Sequence, residues 1–294
     1  FRSNIEPLRY YHVSSISLYD HTRKILSSCQ VDYYQESMTG IEFSEKENQL
    51  LLNVGDVSFL STKVFDSRPP EWLEGEKHQS FLWQSFLGWK IKTTQPVFDK
   101  SVFTMMDFNV DQSDATQFVY ILPYNENHAL VEITRFGAEP IDHEYARIQL
   151  QNYCAAQKWD ILLMDEEQGK IPMCSKDIRQ RSVHSNHVQT GSAAGKVKPT
   201  TGYAFKEMAK DAISIAAQFS LESSLPIIEN KISRKGRFAF YDRLLLKILE
   251  TKPEKGKLIF TSLFKKVDAF TVLKFLRSEE HTSELQSQFR ISYA

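Results

Sequence analysis

Three glycines, Gly191, Gly195 and Gly202, fall within one short stretch, Thr190-Gly-Ser-Ala-Ala-Gly-Lys-Val-Lys-Pro-Thr-Thr-Gly-Tyr-Ala-Phe205. This stretch constrains the fold most. A β-like run at 186–189 precedes it, and a long helical pattern at 204–219 follows. Glycine lets the backbone enter the left-handed region and approach a ligand closely. A helix that begins behind such a turn offers free N–H groups and partial positive charge to a phosphate. Pro199 suits the lead-in or first turn of a helix. An ordinary strand-to-helix turn satisfies the same pattern, so the glycines leave both readings open.

The residues between the glycines are more specific. Gly-Ser-Ala-Ala-Gly-Lys-Val-Lys-Pro-Thr-Thr-Gly-Tyr resembles the Gly-x-Ala-Gly-Gly-x-x-x-Pro-Ser/Thr-Thr-Gly-Tyr signature of flavin-dependent lycopene cyclases, with Ala194 where the family usually has the first glycine of a pair. Other segments resemble the same family in the same order. They are Phe65-Asp-Ser-Arg-Pro69, Phe86-Leu-Gly-Trp89, Phe98-Asp99, Met106-Asp-Phe108, Phe118-Val-Tyr-Ile-Leu-Pro123, Leu130-Val-Glu132-Ile-Thr134 and Gly169-Lys-Ile-Pro-Met173. The resemblance covers most of residues 8–276. It implies an α/β, FAD/NAD(P)-binding Rossmann-like flavoprotein with a β-sheet substrate domain and a helical C-terminal part. It also implies cofactor contacts at Gly191, Ala194, Gly195, Pro199, Thr201 and Gly202.

A dinucleotide fold of this kind opens on a Gly-x-Gly-x-x-Gly loop, and no such loop occurs in the chain. The expectation is therefore a flavin domain whose first strand and glycine-rich loop lie before Phe1. The competing reading is that no dinucleotide domain is present. The expected division is 1–67 as the remnant of the flavin domain, 68–178 as a β-sheet substrate domain and 179–222 as the return to the flavin domain. Residues 223–276 form a basic helical part. Residues 277–294, with Arg277-Ser-Glu-Glu-His-Thr-Ser-Glu-Leu-Gln-Ser287, resemble a translated sequencing adapter and are set apart from fold reasoning.

Composition excludes several classes. With 294 residues, 41% hydrophobic and 25% charged, the chain is that of a folded globular protein. A net charge of −1 gives no basic field for nucleic acid. Three cysteines without CxxC spacing favour reduced thiols in a cytoplasmic setting. No apolar run reaches the ~18–20 residues that cross a bilayer.

The coarse reading of the chain runs as follows. Residues 17–28 form an amphipathic helix capped by Ser17. Strands follow at 31–35, 38–43, 49–54 and 63–65. A mixed or antiparallel sheet of about five strands then draws on 81–89, 90–93, 102–108, 117–123 and 129–136. Residues 141–157 form a helix, and short strands follow at 159–164 and 169–173. Lysines and arginines are interleaved with Phe and Leu through 227–276. Such helices fit peripheral contact with a membrane surface, and equally an ordinary subdomain with a solvated basic face.

Glu132 is the candidate for chemistry. Alternation along 129–134 gives it two largely apolar strand faces, and a buried carboxyl holds its proton toward neutral pH. Alternation alone favours a solvated or ion-paired glutamate, because most charges on strands are solvated. In the family that the segment resembles, the glutamate at this place is the proposed acid–base residue. The residue after it, Ile133, replaces a carboxylate found in some members, leaving one acid in this segment. The resemblance implies protonation of a terminal alkene of a linear carotene and ring closure without net redox change, with reduced FAD and NAD(P)H as its reductant. Trp89, Phe86, Phe108, Tyr120 and Tyr124 are aromatic candidates for contact with a cationic substrate, although aromatics more often pack in a core. Asp107 is a second candidate carboxylate or a structural one. His184 and His187 form an HxxH without further nearby ligands, so no metal site is assigned. A redox flavoenzyme of similar architecture and a non-catalytic lipid-binding relative remain alternatives.

Overall fold

The computed structural model describes residues 2–68, 80–112, 114–174, 182–221 and 236–276. The adapter-like segment and residues 222–235 of the basic part lie outside these.

Helix α1 (Ser15–Leu26) is capped by Ser14, whose side chain accepts from the backbone N–H of Ser17, and it buries none of its residues. The expected cap, Ser17, instead lies within the first turn. Residues 31–35 are exposed and form no strand. Their β-branched and aromatic content suits a strand, but no neighbouring strand pairs with them. Strands β1 (Met38–Ser44), β2 (Gln49–Val54) and β3 (Val57–Ser61) form an antiparallel meander.

Strand β4 (Val64–Asp66) pairs in parallel with the distant β10 (His187–Gln189). This short pair joins the Phe-Asp-Ser-Arg segment to the glycine stretch. Ligands of parallel sheets lie beyond the carboxyl ends of the strands. Here those ends lead into Ser67 and Thr190-Gly191.

Between them lies a five-stranded antiparallel sheet, in the order β6 (Thr104–Asp107), β7 (Thr116–Pro123), β8 (His128–Gly137), β5 (Phe81–Thr93), β9 (Ile161–Cys174). Two strands expected at 81–89 and 90–93 are one. Lys90 and Lys92 alternate with buried Ile91 and Thr93, so their charges mark a face and not an end. The strands expected at 159–164 and 169–173 also merge, into β9. Gly169 and Pro172 sit inside this strand, which is tolerated because β9 is an edge.

The sheet is covered on both faces. Helix α2 (His143–Ala156), capped by the Asp142 side chain, packs Ala146, Leu150 and Tyr153 against Leu87, Trp89, Val119, Val131 and Ile133. On the opposite face, α4 (Gly236–Thr251) and α5 (Lys255–Lys266) bring Leu246, Leu249 and Phe260 onto Leu82, Phe118, Phe136 and Met173. Helices α3 (Phe205–Leu221) and α6 (Ala269–Leu276) complete the described elements.

Candidate functional site

Alternation along β8 places Ala129, Val131 and Ile133 in the core beneath α2, so Leu130, Glu132, Thr134 and Phe136 take the other face. In register, Glu132 lies opposite Tyr120 of β7 on one side and Gly88 of β5 on the other. The α4–α5 layer covers the Phe118 and Phe136 end of this face. The end with Glu132 carries Phe86, Tyr120 and, just beyond β7, Tyr124.

Glu132 is partly buried. Loss of surrounding water pushes its carboxyl up to about 7, the hydrogen bond from Thr134 opposes this, and the charge of Glu167 adds to the rise. Thr134 Oγ1 donates to Glu132 Oε1 at 2.9 Å, fixing the carboxyl. The Tyr120 hydroxyl is buried, with the Tyr10 hydroxyl close to it. Burial pushes its ionisation far upward, and Tyr10, Tyr203 and Glu132 all add to that rise. The Tyr10 ring stacks on Phe103 at 4.7 Å and lies 6.1 Å from Tyr120. The result is an acid at the edge of an aromatic surface.

The glycine stretch reaches the same face. Gly191, Gly195 and Gly202 adopt φ of 62°, 69° and 68°, the left-handed region that excludes most side chains. Ala194 is not among the residues with positive φ, which explains why alanine is accommodated there. A Cβ at Gly202 would stand 2.7 Å from Gln84 Oε1 and 3.3 Å from Ile171 Cδ1. Gly202 therefore lies directly on the sheet, over the strand positions that continue to Phe86 and Gly88. Glu132 is four residues along β8 from Phe136, the partner of Gln84, which is about 14 Å. Tyr203, next to Gly202, is near enough to Tyr120 for its charge to act on that hydroxyl.

Buried polar contacts fix the loop. Lys196 Nζ meets Asp211 at 2.8 Å, and Lys198 Nζ meets Asp242 of α4 at 2.6 Å. Thr200 Oγ1 donates to Asp242 at 2.8 Å, and Thr201 Oγ1 to the Leu276 carbonyl at 3.1 Å. Pro199 is buried among them. At the root of the loop, Asp66 is buried and opposes two segments at once. Burial pushes its carboxyl upward, but hydrogen bonds and charge from Arg68, with a hydrogen bond from His187, hold it at about 2. His187 thus serves Asp66 at 3.2 Å, while His184 stacks on Phe43 at 3.8 Å. Among the described residues no cluster of three metal-ligating side chains occurs.

Three sequence candidates lie elsewhere. Trp89 is on the α2 face, its indole N–H donating to Glu166 Oε2 at 2.7 Å, with Arg147 5.8 Å from its ring. Asp107, opposite Val119, accepts from the Tyr153 hydroxyl of α2 at 2.7 Å. Phe108 packs between Phe118 and Phe260 in the helix-covered core. These three hold the fold together and do not face Glu132. Phe86 and Tyr120 share the sheet face of Glu132, the Phe86 ring lying over Gly169 of β9, and Tyr124 forms the rim, with His12 5.3 Å from its ring.

Other site residues gave no legible signal in the sequence. Gln84 and Glu167 join the site only through strand register, whereas Thr134 shares the face of Glu132 by alternation along its own strand. Gln189 is 2% exposed and its Nε2 has no partner among the described residues. An unsatisfied buried amide N–H costs about 1–3 kcal/mol. It stands at the carboxyl end of β10, where an acceptor oxygen from a bound cofactor would satisfy it.

Comparison with known proteins bears on the family and the fold. The family model described as lycopene cyclase protein matches residues 2–292. A lycopene beta-cyclase of Pantoea ananas is 32% identical over 123 residues, covering 41% of this chain and 32% of that protein. A lycopene beta-cyclase of Pseudescherichia vulneris is 30% identical over 174 residues, covering 55% of this chain and 45% of that protein. The matched stretches thus span less than half of these curated relatives. Two solved structures share the fold at low identity. A geranylgeranyl bacteriochlorophyll reductase-like protein of Thermoplasma acidophilum has a TM-score of 0.57 at 12% identity, over 88% of this chain and 70% of that one. Klebsiella pneumoniae HpxO, solved with FAD, has 0.56 at 14% identity, over 91% and 74%. The architecture is thus the mixed α/β, Rossmann-like one of flavoproteins. With the glycine loop seated on the acid-bearing sheet face and the family match running nearly end to end, the chain belongs to the lycopene cyclase family.

Proposed function

We propose that this chain cyclises the ends of linear carotenes, converting lycopene to β-carotene, with Glu132 as the acid. The observation that carries the reading is Glu132 itself. It is a carboxyl raised to about 7 on an aromatic sheet face that the glycine loop overlies. A general acid works best when its pKa lies near the working pH.

The protonated carboxyl delivers its proton to C2 of the terminal C1=C2 bond, leaving a tertiary cation at C1. The C5=C6 bond attacks C1, which closes the six-membered ring and moves the cation to C5. Loss of the C6 proton to the carboxylate left on Glu132 restores the acid and forms the ring double bond. Atoms and electrons balance, so the reaction is an isomerisation. Phe86 and Tyr120 present π-faces to the cation, a contact worth ~2 kcal/mol or more when dry. Thr134 holds the carboxyl in one orientation.

The residues at the loop fit FAD. Three left-handed glycines leave the backbone bare, and the unsatisfied Gln189 Nε2 awaits an acceptor. Gly191, Ala194, Gly195, Pro199, Thr201 and Gly202 would hold it, and the reduced cofactor, recharged by NAD(P)H, would supply electrostatic stabilisation of the cation. The proposed division into flavin-binding segments, at 1–67 and 179–222, rests on the β4–β10 pairing. We further propose that α4 and α5 meet a membrane surface that stores the carotene. Phe240 and Leu258 are exposed beside basic residues, and no described helix is long and apolar enough to cross a membrane.

The test is conversion of lycopene by the purified flavin-loaded protein, followed by the product spectrum. Glu132→Gln is expected to lose at least ~100-fold, the low end of general-acid contributions. Full activity in Glu132→Gln would overturn the acid assignment, and stoichiometric consumption of NADPH with a reduced product would overturn the cyclase reading in favour of a redox flavoenzyme.

A further inference from the structure

The Glu132 segment contains one acid, because Ile133 takes the place of a carboxylate and points into the α2 core, fully buried. The sheet supplies a second from a different strand. Gly88 of β5 pairs with Glu132 of β8 on one side and with Glu167 of β9 on the other. Directly paired residues point to the same face. Glu132 and Glu167 therefore share a face, separated by a residue with no side chain, with backbones about 10 Å apart across two strand spacings.

The space above Gly88 is already filled from both sides. A Cβ there would lie 3.1 Å from Glu167 Cγ, 3.5 Å from Glu167 Oε1 and 3.0 Å from Leu130 Cδ1. The Glu167 side chain thus arches over Gly88 toward β8 and does not splay off the sheet edge. Lys90, the cation on the same row, bonds Asp165 at 2.7 Å and stays 3.9 Å from Glu167. Lys90 is thus shared between two carboxylates, with its shorter contact to Asp165, and Glu167 is the charge that raises the pKa of Glu132.

We propose that Glu167 is a positioning residue for the Glu132 acid, a like charge placed across Gly88 that keeps Glu132 in its protonated, proton-donating form. This rests on the acid role proposed for Glu132. The charged and titratable groups around Glu132 are Glu167 and Asp165 from β9, Lys90 from β5, and Tyr120 and Tyr124 at β7. Tyr10 comes from the N-terminal segment and Tyr203 from the glycine loop. Burial pushes the ionisation of Tyr120 and Tyr124 upward, and Lys90, shared between Asp165 and Glu167, offsets the Glu167 charge only in part. The contribution of Glu167 to the raised pKa of Glu132 has the sign of a like charge. A carboxylate that has released its proton beside another carboxylate also recaptures it more readily, which favours removal of the C6 proton.

The experiment is a pH titration, by infrared difference spectroscopy on the full chain, of the carboxyl C=O band that Glu132→Gln abolishes. Conversion of lycopene is measured across the same pH range. Glu167→Gln leaves the Lys90–Asp165 pair intact and is expected to fold. Its band midpoint and the alkaline limb of its activity profile are expected to fall together, by about half to one pH unit. Glu167→Asp, which keeps the charge, is expected to retain most of the wild-type midpoint. An unchanged midpoint in folded Glu167→Gln would overturn the pairing. Full activity in Glu132→Gln overturns the acid assignment itself, and the two failures are thereby distinguished.

Discussion

At the scale of the residue, Glu132 is the point where stability and chemistry oppose each other. A buried carboxyl is comfortable as an acid and uncomfortable as an anion. Its pKa in the folded chain, about 7, lies above its ordinary value of 4.5. The sign follows: its contribution to stability is fully present below pH 4.5 and is lost as pH rises through about 7. Each tenfold change in acidity corresponds to about 1.4 kcal/mol, so ionisation of Glu132 penalises the fold by about 3 kcal/mol at pH 9. Glu132→Gln, which cannot ionise, is expected to lack this component. Denaturant midpoints at pH 5, 7 and 9 check it. Wild type is expected to weaken relative to Glu132→Gln toward pH 9, and parallel profiles would show that the carboxyl is solvated. Under the proposed role, stability given up at high pH accompanies an acid poised near neutrality.

At the scale of the element, the sequence was informative where periodicity speaks and silent where pairing decides. Strands β5, β7 and β8 and helix α2 were legible, because alternation and 3.6-residue spacing are local properties. Their lengths were not: Lys90 and Gly169 read as breaks, yet each continues a strand whose partner accepts it. Site membership showed the same divide. Glu132 was singled out through its family resemblance, and the structure places it on the sheet face away from α2. Trp89 and Asp107 were misplaced, because a one-residue step in a strand exchanges one face for the other. Glu167 was invisible, since only the β5–β9 register brings it to Gly88. The glycine stretch was legible as a motif, but its contact with Gln84 was not. That contact separates two otherwise similar substitutions. Gly191→Ala meets no atom closer than 3.9 Å and is expected to cost only the left-handed strain, about 1–2 kcal/mol. Gly202→Ala adds a Cβ at 2.7 Å from Gln84 Oε1. It is expected to cost more than Gly191→Ala in thermal unfolding and to weaken FAD binding more in a fluorescence titration. Equal effects would mean that the loop does not bear on the sheet.

At the scale of the whole molecule, the glycine loop is held by a helix layer that belongs to another part of the chain. Lys198 and Thr200 both bind Asp242 of α4, and Thr201 binds the end of α6. The same α4 packs Leu246 and Leu249 onto the sheet face that carries Glu132. One rigid connection therefore runs from the proposed cofactor loop, through α4, to the acid-bearing sheet. Its weakest point is Asp242, whose Oδ2 is buried without a partner among the described residues. Removing one member of a buried ion pair costs about 3–5 kcal/mol, whereas replacing both by apolar residues is often neutral or stabilising. Asp242→Asn is thus expected to lower Tm by roughly 6–20 °C, given ~2–4 °C per kcal/mol in chains of this size. The double variant Lys198→Met with Asp242→Leu is expected to recover most of that loss. The two variants differ in a second respect. If the pair positions the loop, the double variant regains Tm but not FAD affinity, because an apolar contact does not fix the backbone of 198–202 in one orientation. If the pair matters only for stability, affinity returns with Tm. Measuring both quantities on both variants separates a cradle held by charge from one held by packing.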